Sequence, residues 1–204
     1  MLFMILIGAR ILRKFVHFPA PPFISYFLDS SLRRKMQPPL LVIKRSGIKE
    51  GMKVLEIGCG SGAFTPYIAR AVGKKGIVYS LDIQQKMLDR LYKKLQKDKN
   101  KGIDNVKLIL GNAYNLPFEE KSIDIVIFIT VLQEIPDKTK ALIEARRVLK
   151  KNGKLAITEL LVDPDYPLLR TTIKQVTKVG FEVSGNEGNL FNYTICFNKN
   201  IIDK

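Results

Sequence analysis

Val54-Leu55-Glu56-Ile57-Gly58-Cys59-Gly60-Ser61-Gly62 leads a short apolar run into three glycines at alternate positions, with a helix-like segment, 63–72, behind it. The pattern predicts a strand, a tight turn and the start of a helix. Glycine at such a turn removes the Cβ that would hold a ligand away from the backbone. The helix start adds unpaired N–H groups and the positive end of the helix dipole. A turn built this way accepts a nucleotide or nucleoside at close range.

Two cofactor classes compete for it. Gly58-x-Gly60-x-x-Ala63 satisfies the dinucleotide fingerprint G-x-G-x-x-G/A. Glu56, two residues ahead of the first glycine, separates the classes. A carboxylate there suits a cofactor carrying an ammonium and a sulfonium, and suits a pyrophosphate poorly. The string from Glu56 to Gly62, E-x-G-x-G-x-G, resembles motif I of the class I S-adenosylmethionine (SAM) dependent methyltransferases. The resemblance implies cofactor contacts by Glu56, Gly58, Cys59, Gly60 and Gly62.

Outward from this turn, the 204 residues suffice for one α/β domain with an appendage. The net charge of +15 attracts something acidic, whether nucleic acid, an anionic membrane surface or an anionic substrate. A lysine-rich surface of the thermophile kind gives the same balance. Cys59 lies inside the glycine turn, where a disulfide to Cys196 would obstruct a ligand. The single histidine, His17, leaves no metal-ligand spacing, so no metal is expected. Unbridged cysteines predict a reducing, cytoplasmic compartment. No stretch reaches the ~18–20 apolar residues that span a bilayer. In the apolar start, Leu2 to Ile7, the basic residues follow the run instead of preceding it, which argues against a secretory signal.

The chain divides at its prolines. Residues 2–18 predict a helix with Arg10, Arg13, Lys14 and His17 on one face and apolar residues over most of the rest. Such a helix suits a membrane interface, here the inner face, and equally suits packing on the domain or a dimer contact. Pro19-Ala20-Pro21-Pro22 breaks it. Phe23–Lys35 and, after Pro38-Pro39, Leu40–Ser46 predict two further helices that would form a lid. Residues 1–47 are thus a helical extension, and 48–204 the SAM-binding domain.

From Lys53 onward strands and helices alternate, as in a parallel sheet covered on both faces. Expected strands are Lys53–Ile57, Gly76–Asp82, Val106–Leu110, Ile123–Thr130, Gly153–Glu159, Phe181–Ser184 and Phe191–Lys199, with a hairpin turn at Gly185–Gly188. Expected helices are Ala63–Val72, Gln84–Lys99, Lys138–Lys150 and Tyr166–Val179. The fold class is therefore α/β: a Rossmann-like, doubly wound, mostly parallel seven-stranded sheet with an antiparallel C-terminal strand, plus N-terminal helices.

Strand two ends at Asp82, about two dozen residues past the first glycine, where a carboxylate accepts ribose hydroxyls and the next residue, Ile83, lies beside the base. Dehydrogenases and methyltransferases share this device, and an aspartate after a strand also caps helices. Gly111-Asn112-Ala113 with Leu116-Pro117-Phe118 resembles the methyltransferase pattern G-D-A…L-P-F, whose acidic residue contacts the adenine amino group. Asn112 replaces that acid. Its carbonyl accepts from the amino group and its NH₂ donates to a ring nitrogen. Thr130 stands at the carboxyl end of strand four, where ligands gather in an open sheet. Glu134, four residues on, is the candidate general base, against the plainer reading of a solvated loop carboxylate. Arg146-Arg147-Val148-Leu149-Lys150-Lys151-Asn152-Gly153 resembles the family's R-V-L-K-P-G-G element.

The resemblance runs from Lys53 to about Glu159 and is closest to the ubiquinone/menaquinone C-methyltransferase-like branch. That branch often carries histidine at the position of Gln133. It implies SAM as cofactor and a small, apolar or lipid-like acceptor, with Phe18, Phe23, Tyr26 and Phe27 available to line its pocket. Arg33-Arg34-Lys35 and the lysines at 86, 93, 94, 97, 99 and 101 motivate an RNA or protein methyltransferase as rival. No aromatic-rich nucleic-acid module accompanies them. A non-catalytic nucleoside-binding or membrane-attached scaffold and an NAD oxidoreductase complete the alternatives. Acceptor atom and oligomeric state are not encoded in any motif.

Overall fold

The computed structural model describes residues 31–163 and 165–200. The expected helix over 2–18 with its basic stripe, the break at 19–22 and the pocket aromatics Phe18, Phe23, Tyr26 and Phe27 lie outside them. Seven runs become strands: β1 (Lys53–Ile57), β2 (Ile77–Asp82), β3 (Val106–Leu110), β4 (Ile123–Ile129), β5 (Leu149–Leu160), β6 (Phe181–Gly188) and β7 (Asn192–Lys199). They pair in the order β3-β2-β1-β4-β5-β7-β6. The contacts from β3 through β5 are parallel, and β7 is antiparallel to both β5 and β6. This is the doubly wound sheet expected.

Helices cover both faces because β1 and β4 bury apolar residues on both, with Glu56 the buried polar exception. On one face Val54, Ile125 and Ile127 meet Val42 and Ile43 of α2 (Pro39–Ser46) and Ile68 and Val72 of α3 (Thr65–Val72). On the other, Leu55, Val126 and Phe128 meet Leu142, Ala145 and Val148 of α5 (Lys138–Val148), with Val176 of α6 (Leu169–Thr177) alongside. Each fully buried side chain of this size contributes about 1.5–3 kcal/mol. The remaining helices are α1 (Ser31–Met36) and α4 (Gln85–Leu95). α2 begins on Pro39 and ends on Gly47 at φ 71°, whose N–H returns to the carbonyls of Ile43 and Lys44.

Several boundaries differ from expectation. Gly185–Gly188 is not the hairpin turn: it is extended and paired with β7, from Gly185 opposite Cys196 to Gly188 opposite Tyr193. The turn lies at 189–191. There Asn189 Oδ1 accepts the N–H groups of Phe191 and Asn192, and the Asn189 N–H donates to the Asn192 carbonyl. The helix expected over 84–99 stops at Leu95, since Asn100 donates to the Lys94 carbonyl and closes a separate turn at Asp98–Asn100. α6 starts only at Leu169, past Pro167. The fourth strand ends one residue early because Thr130 turns to φ 53°. β5 starts early, at Leu149 opposite Ile123, with a register shift before Lys154.

Candidate active site

A cleft of about 350 Å³ opens at the carboxyl ends of β1 to β4, where chain order reverses between β1 and β4. Glu56, Gly58, Cys59, Gly60, Asp82, Ile83, Asn112, Ala113, Thr130 and Glu134 all line it. Gly62 does not.

The three glycines do different work. All have positive φ: 70° at Gly58, 54° at Gly60 and 76° at Gly62. A Cβ on Gly58 would stand 2.3 Å from Val131 Cγ2, and one on Gly62 would stand 2.3 Å from Leu91 Cδ1. These two are small so that β4's loop and α4 can close on the turn. A Cβ on Gly60 meets nothing within 4 Å. Gly60 therefore faces the cleft itself and lets a ligand approach the backbone.

Glu56 is buried beneath this turn, because alternation along β1 sends Leu55 and Ile57 to one core and Glu56 to the other face. Its Oε2 accepts from Thr65 Oγ1 at 2.6 Å and from Ser80 Oγ, on the paired strand, at 3.2 Å. Burial outweighs these bonds and pushes its carboxyl up to about 7. Lys94, whose Nζ donates to the Gly62 carbonyl, pulls in the opposite direction. Burial likewise pushes the Cys59 thiol well up, so it is a packed wall residue and not a nucleophile.

Asp82 uses one oxygen for the Gly60 N–H at 2.8 Å and the other for the Gln84 N–H at 2.9 Å. Burial raises its pKa against these bonds. The Ile83 N–H also bears on this carboxylate, whose four lone-pair sites still leave room for a hydroxyl donor. Ile83 beside it is 59% exposed, an apolar surface presented to the cleft. Asn112 is exposed and turns its carbonyl back onto the Tyr114 N–H at 2.9 Å, which points its NH₂ outward.

At the β4 side, Thr130 lies in the left-handed region. Its N–H donates to the Thr158 carbonyl and its Oγ1 to the Ile129 carbonyl. Its Oγ1 also accepts from Arg33 Nη2 at 2.5 Å. Glu134 sits in a short 3-10 turn, Leu132–Glu134, on the same wall. Gln133, at the position where the resembled branch has histidine, turns away and donates to Gln175 on α6 at 3.0 Å.

Arg33, Phe64, Gln84, Met87, Tyr114 and Val131 line the cleft without having been expected there. Arg33 belongs to a basic triplet that read as one patch. The structure splits it: Arg33 is 5% exposed at the cleft, while Arg34 and Lys35 face solvent. Nothing local in the sequence distinguishes the three.

The element 146–153 is structural. Arg147 donates to both oxygens of Glu144 at 2.7 and 2.8 Å, and to the carbonyls of Phe118 and Leu116 at 2.7 and 2.9 Å. It thereby pins the loop that carries Asn112 and Ala113. Arg146 ties α5 to the Gly180 and Asn200 carbonyls. Both cysteines are free and buried. Among the described residues no His, Cys, Asp and Glu group is arranged for a metal, and no helix is long and apolar enough to cross a membrane.

A family model described as a methyltransferase domain matches residues 48–194. A demethylmenaquinone methyltransferase of Staphylococcus aureus (strain MRSA252) is 39% identical over 129 residues, 63% of this chain and 51% of that protein. The chain thus spans about half the length of the curated relatives it matches. A SAM dependent methyltransferase from Aquifex aeolicus superposes with a TM-score of 0.80 at 24% identity, covering 88% of this chain and 98% of that one. The [4+2]-cyclase SpnF superposes at 0.65 with 20% identity, over 76% of this chain and 61% of its own. At these identities the structural likeness speaks for the fold alone.

Proposed function

Because the chain belongs to the methyltransferase-domain family matched over 48–194, we propose that it is a SAM-dependent methyltransferase acting on a small, apolar, quinol-like acceptor. One observation carries the cofactor reading. The open backbone of Gly60 shares the cleft with Glu56, a carboxylate that suits an ammonium, and with Asp82, one that suits a ribose. Asp82 serves the ribose of either cofactor class, but a dinucleotide's pyrophosphate has no cause to settle against the buried carboxylate of Glu56.

SAM, when bound, supplies an electrophilic methyl group. The chain holds and orients. Asp82 takes ribose hydroxyls on its unused lone pairs, Ile83 gives the base an apolar surface, and the Asn112 NH₂ and Ala113 flank it. Ile129, Val131, Ile135 and Pro136 form an apolar wall on the β4 side, which excludes water from an acceptor held there. Positioning alone supplies about 7–11 kcal/mol of barrier lowering, against about 3–5 kcal/mol for a general base of ~10²–10⁴-fold effect. Glu134, which lines the cleft on the β4 side, would take an acceptor hydroxyl's proton.

The quinol class rests on the names of the relatives and on this apolar wall. The stripe over 2–18 suits work at the cytoplasmic face of a membrane, which liposome flotation of the full chain and of 19–204 tests. Incubation with methyl-labelled SAM and demethylmenaquinol, and in parallel with host lipid, RNA and protein fractions, tests the rest. Label in the quinone fraction is expected. Label in RNA or protein instead would overturn the acceptor while keeping the cofactor. Micromolar NAD binding without SAM binding would overturn both.

A further inference from the structure

The turn between β6 and β7 presents two consecutive large apolar side chains to solvent. Leu190 is 61% exposed and Phe191 65%, and Leu168, the residue that precedes α6, is 61% exposed. Exposed apolar residues scattered singly need no explanation, but a group of them at one edge marks an interaction surface. We propose that Leu190, Phe191 and Leu168 form a membrane-docking tip that sets the cleft against an anionic phospholipid bilayer. The inference rests on the lipid-like acceptor proposed above, and gives that acceptor a short route from the bilayer to the cleft.

Three features carry it. The first is place. Leu160, the last residue of β5, pairs with Asn192, so the tip stands at the carboxyl end of the parallel strands, the end at which the cleft opens. β5 in turn lies next to β4, whose end supplies the cleft's apolar wall. The second is a fixed backbone. The Leu161 N–H donates to the Phe191 carbonyl and the Tyr166 hydroxyl to the Leu190 carbonyl, while Asn189 closes the turn from within. The backbone at the tip is held by the chain, and the two apolar side chains are left to the solvent. The third is charge. Asn192 Nδ2 donates to the Met36 carbonyl, which sets the base of the tip against α1, where Arg34 and Lys35 are exposed. Arg170, just past Leu168, is exposed as well. Of the acids on these segments, Glu187 is exposed and Asp163 and Asp165 are half-buried. With a net charge of +15 on the chain, an apolar tip flanked by cations complements anionic headgroups over an acyl interior.

The chain contains no tryptophan, so Phe191→Trp in the full chain puts a single fluorescent reporter on the tip. With phosphatidylglycerol vesicles its emission should shift to the blue and be quenched by bromine-labelled acyl chains. In flotation, the double variant Leu190→Ser, Phe191→Ser should bind these vesicles at least about tenfold more weakly than wild type, with the SAM affinity of wild type. Phosphatidylcholine vesicles should bind the wild type more weakly than phosphatidylglycerol ones. Equal binding to both would overturn the anionic surface. Emission that is already blue without vesicles would mean that protein covers the tip, whether residues 2–18 or a second copy, and would overturn the docking. A wild type that floats while the reporter stays unquenched, or a double variant that floats as well as wild type, would put the membrane contact elsewhere and overturn the tip alone. Failure of the wild type to float with either lipid would instead bring down the membrane reading of the function, and the tip with it.

Discussion

Asp82 Oδ2 accepts the backbone N–H of Gly60 at 2.8 Å, so the carboxylate that ends β2 holds the shape of the turn that ends β1. One residue is thus both the turn's clamp and the expected ribose acceptor. Asp82→Ala removes two bonds to backbone N–H groups in a nearly buried place. A loss of about 1.5–3 kcal/mol is expected in urea unfolding, together with at least a tenfold loss of SAM affinity by calorimetry. A stability loss with full affinity would show that the ribose is held elsewhere.

Gly60 and Gly62 should separate binding from folding. Gly60→Ala strains a residue at φ 54° by about 1–2 kcal/mol but meets no neighbour, so the protein stays folded while its methyl group stands in the ligand's path. Gly62→Ala has the same strain and also drives into buried Leu91, adding about 1–3 kcal/mol of overpacking. Thermal unfolding beside SAM titration should find Gly60→Ala the weaker binder and Gly62→Ala the less stable fold.

Glu56 should make cofactor binding pH-dependent. With its carboxyl pushed up to about 7 by burial, the free protein carries a proton there below that pH. A ligand ammonium favours the ionised form, so binding below pH 7 must expel the proton. SAM affinity is expected to rise with pH, by as much as about tenfold per unit, and to level off near 7. The readable window runs from pH 5.5 to 7.5, below the amino group's own pKa of about 8. Glu56→Gln should bind more weakly and with a flat profile. A wild-type profile that is flat over that window would remove Glu56 from the ammonium.

Arg147 tests whether the helix-end element serves the site at a distance. Its four bonds join Glu144 to the carbonyls of Leu116 and Phe118, and Glu144 also accepts the Leu116 N–H at 2.8 Å. The Arg147 guanidinium beside it holds the Glu144 carboxyl below its usual range. Arg147→Ala should cost about 2–3 kcal/mol in urea unfolding and weaken SAM several-fold by loosening the Asn112–Ala113 loop. Intact nucleoside affinity would confine the clamp to folding.

The sheet and much of the cleft's lining were legible in the sequence for a physical reason. Strands buried on both faces read as unbroken apolar runs, as at Ile125–Ile129, and the Asp82 carboxylate sits at a fixed distance along the chain from the first glycine. Features set by tertiary placement were not legible. Arg33 differs from Arg34 and Lys35 only in which side of α1 meets the cleft. Gly185 and Gly188 carry a turn signal, yet pairing with β7 keeps them extended and moves the turn to Asn189, whose side chain accepts two N–H groups. Gln133 looked like a substituted catalytic position and proved to be a bond between the β4 loop and α6.

Glu159, near the end of β5, is 2% exposed, and its Oε1 has no hydrogen-bond partner. Burial raises its pKa well above the ordinary value, helped by Asp163, Glu134 and Asp165, while Arg33 pulls it down. Tyr193, opposite it on β7, has its own hydroxyl pushed well above the usual phenol range, by burial foremost and in part by Glu159 itself, and adds no cation. The folded chain therefore holds Glu159 neutral at pH values where the unfolded chain has released the proton. Unfolding releases a proton above about pH 4.5, the group's unfolded value, and stability falls as pH rises through that window, by up to about 1.4 kcal/mol per unit from this group. Glutamine is neutral in both states and has no such slope. Urea unfolding of wild type and Glu159→Gln should give similar stabilities near pH 4, with the variant gaining on wild type at pH 6 and gaining more at pH 8. A difference that stays constant from pH 4 to 8 would mean that Glu159 is ionised in the fold, with its charge balanced inside the core.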